Sequence, residues 1–225
     1  MNFYKTVVIF VFIMIFCSVA SAEQITGCHC FTNRQFDAAQ PGAVDPYLLA
    51  TTQNSFLAAV FGIHKKQIVQ AKMREKASGD DLWIAYFTAS KTGVPVNNLL
   101  ASRKASSSWK KALEQNNVAL KLLGPHFKEA ISQNPTDKEL SSIVVDQMII
   151  DYFGSDKTGV KKLRIAGAQN KEIILSAFLS LYTKRSAQSF YTSVIKGQFT
   201  WGKILNDLKI EASDMGTEIN KILKK

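Results

Sequence analysis

The sequence predicts an all-α protein built from two tandem, related helical units of about 90 residues each. Apolar residues recur at helical spacing along most of the chain, and no segment shows the strict alternation that is typical of a half-buried strand. The chain also matches itself at an offset of 92 residues. Because there are only two copies, we expect a closed, pseudo-symmetric pair with roughly five helices per unit and not an open solenoid.

The repeat pairs residues 45–131 with residues 137–223 without a gap, and residues 132–136 form the linker between the units. Eleven of the 87 paired positions are identical, and apolar character is kept at many others. The sharpest matches are the pairs Lys104/Lys196, Trp109/Trp201, Lys111/Lys203, Leu113/Leu205 and Gly124/Gly216. The repeat indicates an architecture but not a chemistry.

Residues 1–22 have the parts of a secretory signal peptide. Lys5 precedes an unbroken apolar run over residues 7–16, and Ala20-Ser21-Ala22 is a small-residue cleavage signal. The run has half the roughly 20 residues that span a bilayer, which argues against a transmembrane anchor. We therefore expect a mature chain without a transmembrane helix, exported to the periplasm or the extracellular space.

Residues 23–44 are predicted to form an irregular arm that contains a Cys-His-Cys motif. Once the signal peptide is removed, Cys28 and Cys30 are the remaining cysteines, in a compartment where disulfides persist. A disulfide within or between chains, free thiols, and a soft metal ion held with His29 all remain open. Three adjacent ligands do not complete a tetrahedral site, so no cofactor is predicted beyond that possible metal.

Each unit begins with a long helix that ends at a glycine. Asp45-Pro46 has the acid and proline of a helix start, and Gly62 suits the end of the same helix. In the second unit, Thr136 and Glu139 have the spacing of a capping box, and Gly154 follows the helix. The two starts use different caps at equivalent positions.

Further helices are predicted in the same order in both units. A shorter basic helix comes second, over residues 64–77 and 156–169. The third element is the most apolar, and because its pattern continues past six residues without a hairpin signal, it is interpreted as a buried central helix. In the first unit the later helices are expected over residues 96–104, 109–115 and 120–131, and in the second unit they follow Ala187 in the same order.

The Lys-Trp-Lys segments are the candidate binding residues. A tryptophan between lysines can stack on a sugar or a lipid headgroup while the ammonium groups contact an anion. The alternative is that each tryptophan anchors the core and the lysines are ordinary solvated residues. The candidates are Lys104, Trp109 and Lys111, with Lys196, Trp201 and Lys203.

The net charge of +10 favours anionic partners. An acidic protein, a lipid headgroup or an acidic polysaccharide of the envelope all fit this charge. Nucleic acid is the usual partner of such a basic protein, but the export signal argues against it. Basic side chains occur in both second helices, where a solvated helix face also explains them.

Catalytic motifs are absent from the sequence. It contains no GxSxG, HExxH or GxxxxGK[ST], and the histidines lie in unrelated contexts. Asp80 and Glu172 precede the two central helices, where an acid stabilises a helix N-terminus. No catalytic residue is predicted, although a hydrolase that acts on an envelope or extracellular polymer through distant carboxylates stays an alternative.

Residues 28–31 and 50–62 resemble hypothetical exported bacterial proteins that carry no assigned activity. The resemblance transfers no functional residue. The sequence therefore favours an exported, non-enzymatic binding or interaction protein of the bacterial envelope. The alternatives are the carboxylate-dependent hydrolase and a small metal- or redox-active protein that uses Cys28, His29 and Cys30.

Overall fold

The computed structural model describes residues 31–223. This range contains twelve α-helices and one 3-10 turn (Leu120–Leu123), and none of its residues forms a β-strand. The all-α prediction is confirmed, with more helices than the roughly ten expected. The helices are α1 Asp45–Phe61, α2 Lys65–Arg74, α3 Gly79–Thr92, α4 Val96–Ser106, α5 Trp109–Gln115, α6 Pro125–Ser132, α7 Asp137–Phe153, α8 Lys157–Ile165, α9 Asn170–Thr183, α10 Ala187–Ile195, α11 Trp201–Asp207 and α12 Met215–Leu223.

Local cap signals explain where the two longest helices begin and end. The Thr136 hydroxyl accepts the Glu139 N–H at 3.2 Å, and the Glu139 carboxylate accepts the Thr136 N–H at 2.8 Å. The capping box predicted at the start of α7 is therefore confirmed. Gly62 and Gly154 adopt left-handed φ values of 62° and 60° directly after α1 and α7.

Two local predictions are wrong. The helix expected over residues 120–131 is interrupted at Gly124, whose φ is 86° and ψ 161°, because the ring of Pro125 disfavours helical backbone at the preceding residue. Asp45 does not cap its own helix, since Val44 occupies that position without a side-chain bond. Instead the Asp45 carboxylate accepts the backbone N–H groups of Trp201 at 3.1 Å and Gly202 at 2.7 Å, at the start of α11.

The described part of the arm, residues 31–44, packs against this same end of α11. The Thr200 hydroxyl donates to the Pro41 carbonyl at 2.9 Å. A Cβ atom at Gly202 would lie 2.5 Å from Val44 Cγ1 and 2.7 Å from the Pro41 carbonyl oxygen. The arm therefore lies directly on the glycine, and any side chain at this position would displace it.

The centre of the fold is a ring of four helices, α1, α3, α7 and α9. In this ring α3 packs against α7 and α1 against α9, and contacts of α1 with α3 and of α7 with α9 close it. Helices α4, α5 and α6 cover the side of α3 and α7, α8 and α10 lie beside α9, and α11 and α12 lie against α1. The buried apolar side chains of both halves form one continuous cluster. Within residues 31–223, no helix is both long enough and apolar enough to cross a membrane.

Phe56 joins three helices of this ring. Its side chain is fully buried, its ring stacks on Phe153 of α7 with 4.5 Å between centroids, and it lies 5.8 Å from Trp83 of α3. Aromatic contacts of this kind add to the stabilisation that burial alone provides. One side chain of α1 thus packs against both halves of the chain.

The substitution Phe56→Ala is expected to lower the free energy of unfolding by about 3–5 kcal/mol, because it leaves a cavity where three helices meet. Phe199, which is 47% exposed, provides the matched control, and Phe199→Ala should change stability by no more than about 0.5 kcal/mol. Urea unfolding followed by circular dichroism measures both. Equal losses in the two variants would contradict the central position of Phe56.

Candidate functional site

The tryptophans of the two Lys-Trp-Lys segments begin α5 and α11, and both side chains face the core. Trp109 is 3% exposed and Trp201 is 2% exposed. The indole N–H of Trp109 donates to Asp81 Oδ1 at 3.0 Å. Neither ring presents a face on which a sugar or a headgroup can stack, so the burial fits the packing alternative.

The lysines of these segments have different environments. Lys104, Lys111 and Lys196 are exposed. Lys203 is partly exposed and donates from Nζ to Asp207 Oδ2 at 2.6 Å, one helical turn further along α11. The structure therefore brings no Lys-Trp-Lys stacking site together, although the exposed lysines remain available to an anion.

Cys28, His29 and Cys30 lie outside the described residues, so the disulfide, the free thiols and the metal site all stay predictions. Among residues 31–223, no three His, Cys, Asp or Glu side chains are grouped as metal ligands.

A polar network connects the two halves where the N-termini of α3 and α9 meet α7. The Ser141 hydroxyl donates to Asp80 Oδ1 at 2.6 Å, and the Asn170 amide donates to the same oxygen at 3.1 Å and to Ser141 Oγ at 2.9 Å. Arg164 of α8 donates from Nη2 to Asn170 Oδ1 at 2.6 Å and to Asp146 Oδ1 at 2.7 Å. The network thus joins four helices through side chains that satisfy one another.

A second group of polar contacts lies beside this network. Asp81 accepts the Trp109 indole N–H and lies 3.5 Å from the Arg103 Nε atom. The same arginine pairs with Asp137 at the start of α7. Asp81 also accepts the Ser78 N–H at 3.1 Å in the capping box of α3. This carboxylate therefore both begins α3 and positions α4 and α5.

The surroundings of Asp80 raise the pKa of its carboxyl above the ordinary value of 3.8. Burial is the largest cause, and the negative charges of Asp81 and Asp137 act in the same direction. Hydrogen bonds from Ser141 and Asn170 oppose the shift only in part. A partly buried acid with a raised pKa is a common feature of catalytic sites. Here the adjacent Ser141 is 0% exposed, so a substrate cannot reach the hydroxyl.

An open depression of about 690 Å³ lies beside the network and contains two carboxylates, Glu139 and Asp146. Glu139 accepts the Thr136 N–H and hydroxyl, which lowers the pKa of its carboxyl. Asp146 accepts two N–H groups of Arg164 at 2.7 Å and 3.0 Å. Hydrolysis by a carboxylate pair needs one acid that holds a proton near neutral pH. The lowered pKa makes Glu139 unsuited to that role, and the Asp146 carboxylate is occupied by its ion pair with Arg164.

Positive charge is concentrated in residues 157–206, which form α8, α9, α10 and most of α11. This segment has nine Lys or Arg residues and one acid, Glu172, and so carries eight of the ten net positive charges. Glu172 is engaged by the Gln169 N–H at 2.8 Å, in the first turn of α9. The other residues sum to a net charge of +2, although residues 65–114 carry ten Lys or Arg residues and four acids. Residues 157–206 differ in having a single acid, so an anion meets little repulsion there.

The exposed lysines at the α8 side of this segment are named the basic face: Lys157, Lys161, Lys162 and Lys196. Val160 and Leu163 turn inwards from α8, which leaves its lysines on the solvent side. Lys157 and Lys161 are one helical turn apart and therefore lie on the same stripe. Lys196 follows the last turn of α10, and α10 packs against α8.

Exposed apolar side chains are concentrated in the same segment. Eight large apolar residues are exposed among residues 31–223, and five of them lie between residues 157 and 206: Ile165, Leu181, Tyr182, Ile195 and Phe199. Apolar side chains grouped beside positive charge are typical of an interaction surface.

Sequence reasoning singled out Asp80 but not its partners. Ser141 and Asn170 lie 61 and 90 residues away, and no local signal links them to Asp80. Three lysines of the basic face, Lys157, Lys161 and Lys162, belong to the second basic helix, which a solvated helix face explains equally well, and Lys196 is one of the candidate binding residues. The absence of acids between Glu172 and Asp207 is visible in the sequence and is the signal that points to the basic face.

Comparison with protein-family models, with curated proteins and with solved structures finds no match to this chain.

The substitution Asp80→Asn is expected to raise the free energy of unfolding at neutral pH. The folded state holds a proton on Asp80 more tightly than the unfolded chain does, so this group favours folding below pH 3.8 and loses that contribution as the pH rises through its raised pKa. Asparagine removes the partly buried charge and keeps an acceptor for Ser141. The difference between the variant and the wild type should disappear below pH 3.8, which urea unfolding at several pH values measures.

Asp81→Asn is the control for this experiment. It weakens the contact to Arg103 and the capping box of α3, and we expect it to lower the free energy of unfolding by about 1 kcal/mol at neutral pH. A loss of stability in both variants would contradict the assignment of an unfavourable charge to Asp80.

Proposed function

We propose that this protein is an exported, non-enzymatic helical binding protein of the bacterial envelope, and that it holds anionic partners on the basic face. The observation that carries the proposal is the charge distribution, since residues 157–206 contain nine cationic side chains and a single acid. The signal-peptide pattern of residues 1–22 supports export, and it rests on the sequence alone.

The chemistry of the basic face suits a partner that carries several negative charges. Isolated surface ion pairs contribute little to affinity, whereas several cations on one side raise the local concentration of a polyanion. An acidic protein, an anionic lipid headgroup and an acidic polysaccharide all have this property. The Asp80 network, in contrast, is partly buried, and its polar groups contact one another.

The triple substitution Lys161→Gln, Lys162→Gln and Lys196→Gln is expected to weaken binding to immobilised dextran sulfate by roughly tenfold, because each exposed contact contributes about 0.2–1 kcal/mol. Lys104→Gln, Lys110→Gln and Lys111→Gln form the matched control, since these exposed lysines of α4 and α5 remove the same total charge. Affinity measured over a range of salt concentrations distinguishes the two. Equal losses would mean that net charge and not the basic face determines binding.

We also propose that the two halves are a tandem duplication packed as a pseudo-symmetric pair. Helices α1 and α7 begin and end 92 residues apart, and α5 and α11 do the same. The packing is reciprocal as well, because α3 contacts α7 while its counterpart α9 contacts α1. In the same way α6 contacts α7 while α12 contacts α1. Reciprocal contacts of this kind characterise a two-fold interface.

Side-chain contacts repeat with the same offset. Lys72 of α2 donates to Asn54 of α1 at 2.7 Å, and 92 residues later Arg164 of α8 donates to Asp146 of α7, also at 2.7 Å. Asn117 and Lys209, which follow α5 and α11, share left-handed φ values of 51° and 55°. The residue types at these positions differ between the halves, but the contacts and the backbone conformation are the same. This similarity supports a common origin of the halves.

Because α3 packs on α7 and α9 packs on α1, each half needs the other, and we expect that neither half folds alone. When the chain is cut between Gln133 and Asn134, in the connection from α6 to α7, each fragment should lack a cooperative unfolding transition because its central helices have lost their partners. Mixing the fragments should restore helical circular dichroism and a heterodimer in analytical ultracentrifugation. Cooperative unfolding of either isolated fragment would contradict the reciprocal arrangement.

A further inference from the structure

We propose that the end of the molecule formed by α8, α10 and the loop after α10 docks on the surface of an anionic lipid bilayer. Ile165, Ile195 and Phe199 enter the headgroup region of the bilayer, and the neighbouring lysines of the basic face contact the lipid phosphates. This inference rests on the proposed function, of which it specifies the partner and the docking surface. The three apolar side chains are named the docking patch.

The packing of α10 against α8 places the docking patch at one end of the fold. The Tyr191 hydroxyl donates to the Ala166 carbonyl at 3.3 Å, which holds α10 against the C-terminal end of α8. Ile165 directly precedes Ala166, and Ile195 lies one turn beyond Tyr191 on the same stripe of α10. The loop then folds back, with the Phe199 N–H donating to the Ser193 carbonyl at 3.3 Å.

The side chains of the docking patch are too exposed to be part of the hydrophobic core. Ile165 is 76% exposed, Ile195 is 55% exposed and Phe199 is 47% exposed. The other two exposed apolar residues of the segment, Leu181 and Tyr182, belong to the C-terminal end of α9. Since Asn170 at the start of α9 lies next to α8, that end points away from the docking patch.

The lysines beside the docking patch match the charge of an anionic bilayer. On α8, Lys161 lies one turn before Ile165, and Lys162 lies three residues before it. Lys196 directly follows Ile195. The acids closest in sequence to the α8 lysines are Asp156 and Glu172, and both accept backbone hydrogen bonds. Asp156 accepts the Gly159 N–H at 2.8 Å, and Glu172 accepts the Gln169 N–H. No carboxylate within residues 157–171 weakens the attraction.

The combination of charge and apolar exposure distinguishes a bilayer from a soluble polyanion. A dissolved polysaccharide needs only the lysines, whereas a lipid surface also accepts apolar side chains below the headgroups. Lysines near an anionic leaflet add attraction that falls off within a Debye length. The docking patch supplies the apolar contacts, and the basic face supplies the charge.

The experiment is cosedimentation of the full mature chain with vesicles. One set of vesicles contains phosphatidylcholine alone, and the other contains phosphatidylcholine mixed with phosphatidylglycerol. We expect binding to the mixed vesicles and little binding to phosphatidylcholine alone. The substitutions Ile165→Ser, Ile195→Ser and Phe199→Ser together leave the charge unchanged and should reduce partition into mixed vesicles by about tenfold or more.

Met73→Ser, Leu122→Ser and Tyr152→Ser form the matched control, because these are the three large apolar residues exposed among the described residues outside the segment. This variant should bind mixed vesicles like the wild type. Circular dichroism and the urea midpoint establish that both triple variants fold. Equal losses of vesicle binding in the two would overturn the docking patch.

Two other results would overturn the inference and leave the proposed function standing. One is binding to dextran sulfate without binding to mixed vesicles. The other is vesicle binding that depends on Lys161, Lys162 and Lys196 but not on the docking patch. Failure to bind dextran sulfate, polyaspartate and vesicles alike would remove the proposed function as well. A wild-type dimer that the docking-patch variant abolishes, without vesicle binding, would assign the patch to self-association.

Discussion

The structure depends on the burial of α3 and α9, two helices that are apolar on most of their surface. All residues from Ile173 to Leu179 are buried in α9, and α3 buries Trp83 and Ile84 without any exposure. A helix of this kind is stable only when neighbours cover it on every side. The chain meets this requirement by packing α3 on α7 and α9 on α1, so that each half covers the central helix of the other.

Polar groups at the N-termini of α3 and α9 enter the interior as a result of this packing. Asp80 and Asn170 come together because their helices converge on α7, where Ser141 lies between them. Unsatisfied polar atoms in the interior would cost free energy, and the hydrogen bonds of the network offset part of that cost. The remaining unfavourable element is the charge of Asp80, which burial opposes.

Positive charge and exposed apolar side chains are distributed unevenly over the surface of the fold. The central helices of both halves are covered in equivalent ways, but residues 157–206 have one acid beside nine Lys or Arg residues, whereas residues 65–114 have four acids beside ten. Stability does not require this excess, since like charges on one side repel each other. The proposed function accounts for this difference, because it uses residues 157–206 and not residues 65–114.

The sequence by itself determined the helical class, most helix boundaries and the concentration of positive charge. These follow from apolar spacing, capping residues and composition, which are local properties that act before any distant contact forms. The start of α7 at Asp137 and the end at Gly154 are examples, since Thr136, Glu139 and the glycine act within one turn. The interruption at Gly124 belongs to the same local chemistry, and Pro125 was the available signal.

Only the tertiary structure decided which distant groups meet. Asp45 has the residue type of a cap for α1, yet its carboxylate binds the start of α11, because folding brings the N-termini of both helices together. Trp109 and Trp201 have the residue pattern of a binding surface, yet both rings are buried, because the core closes over that side of their helices. Ile165 and Ile195 share one end of the molecule through the packing of Tyr191 on Ala166. Such pairings depend on chain closure over tens of residues, and spacing within a helix carries no information about them.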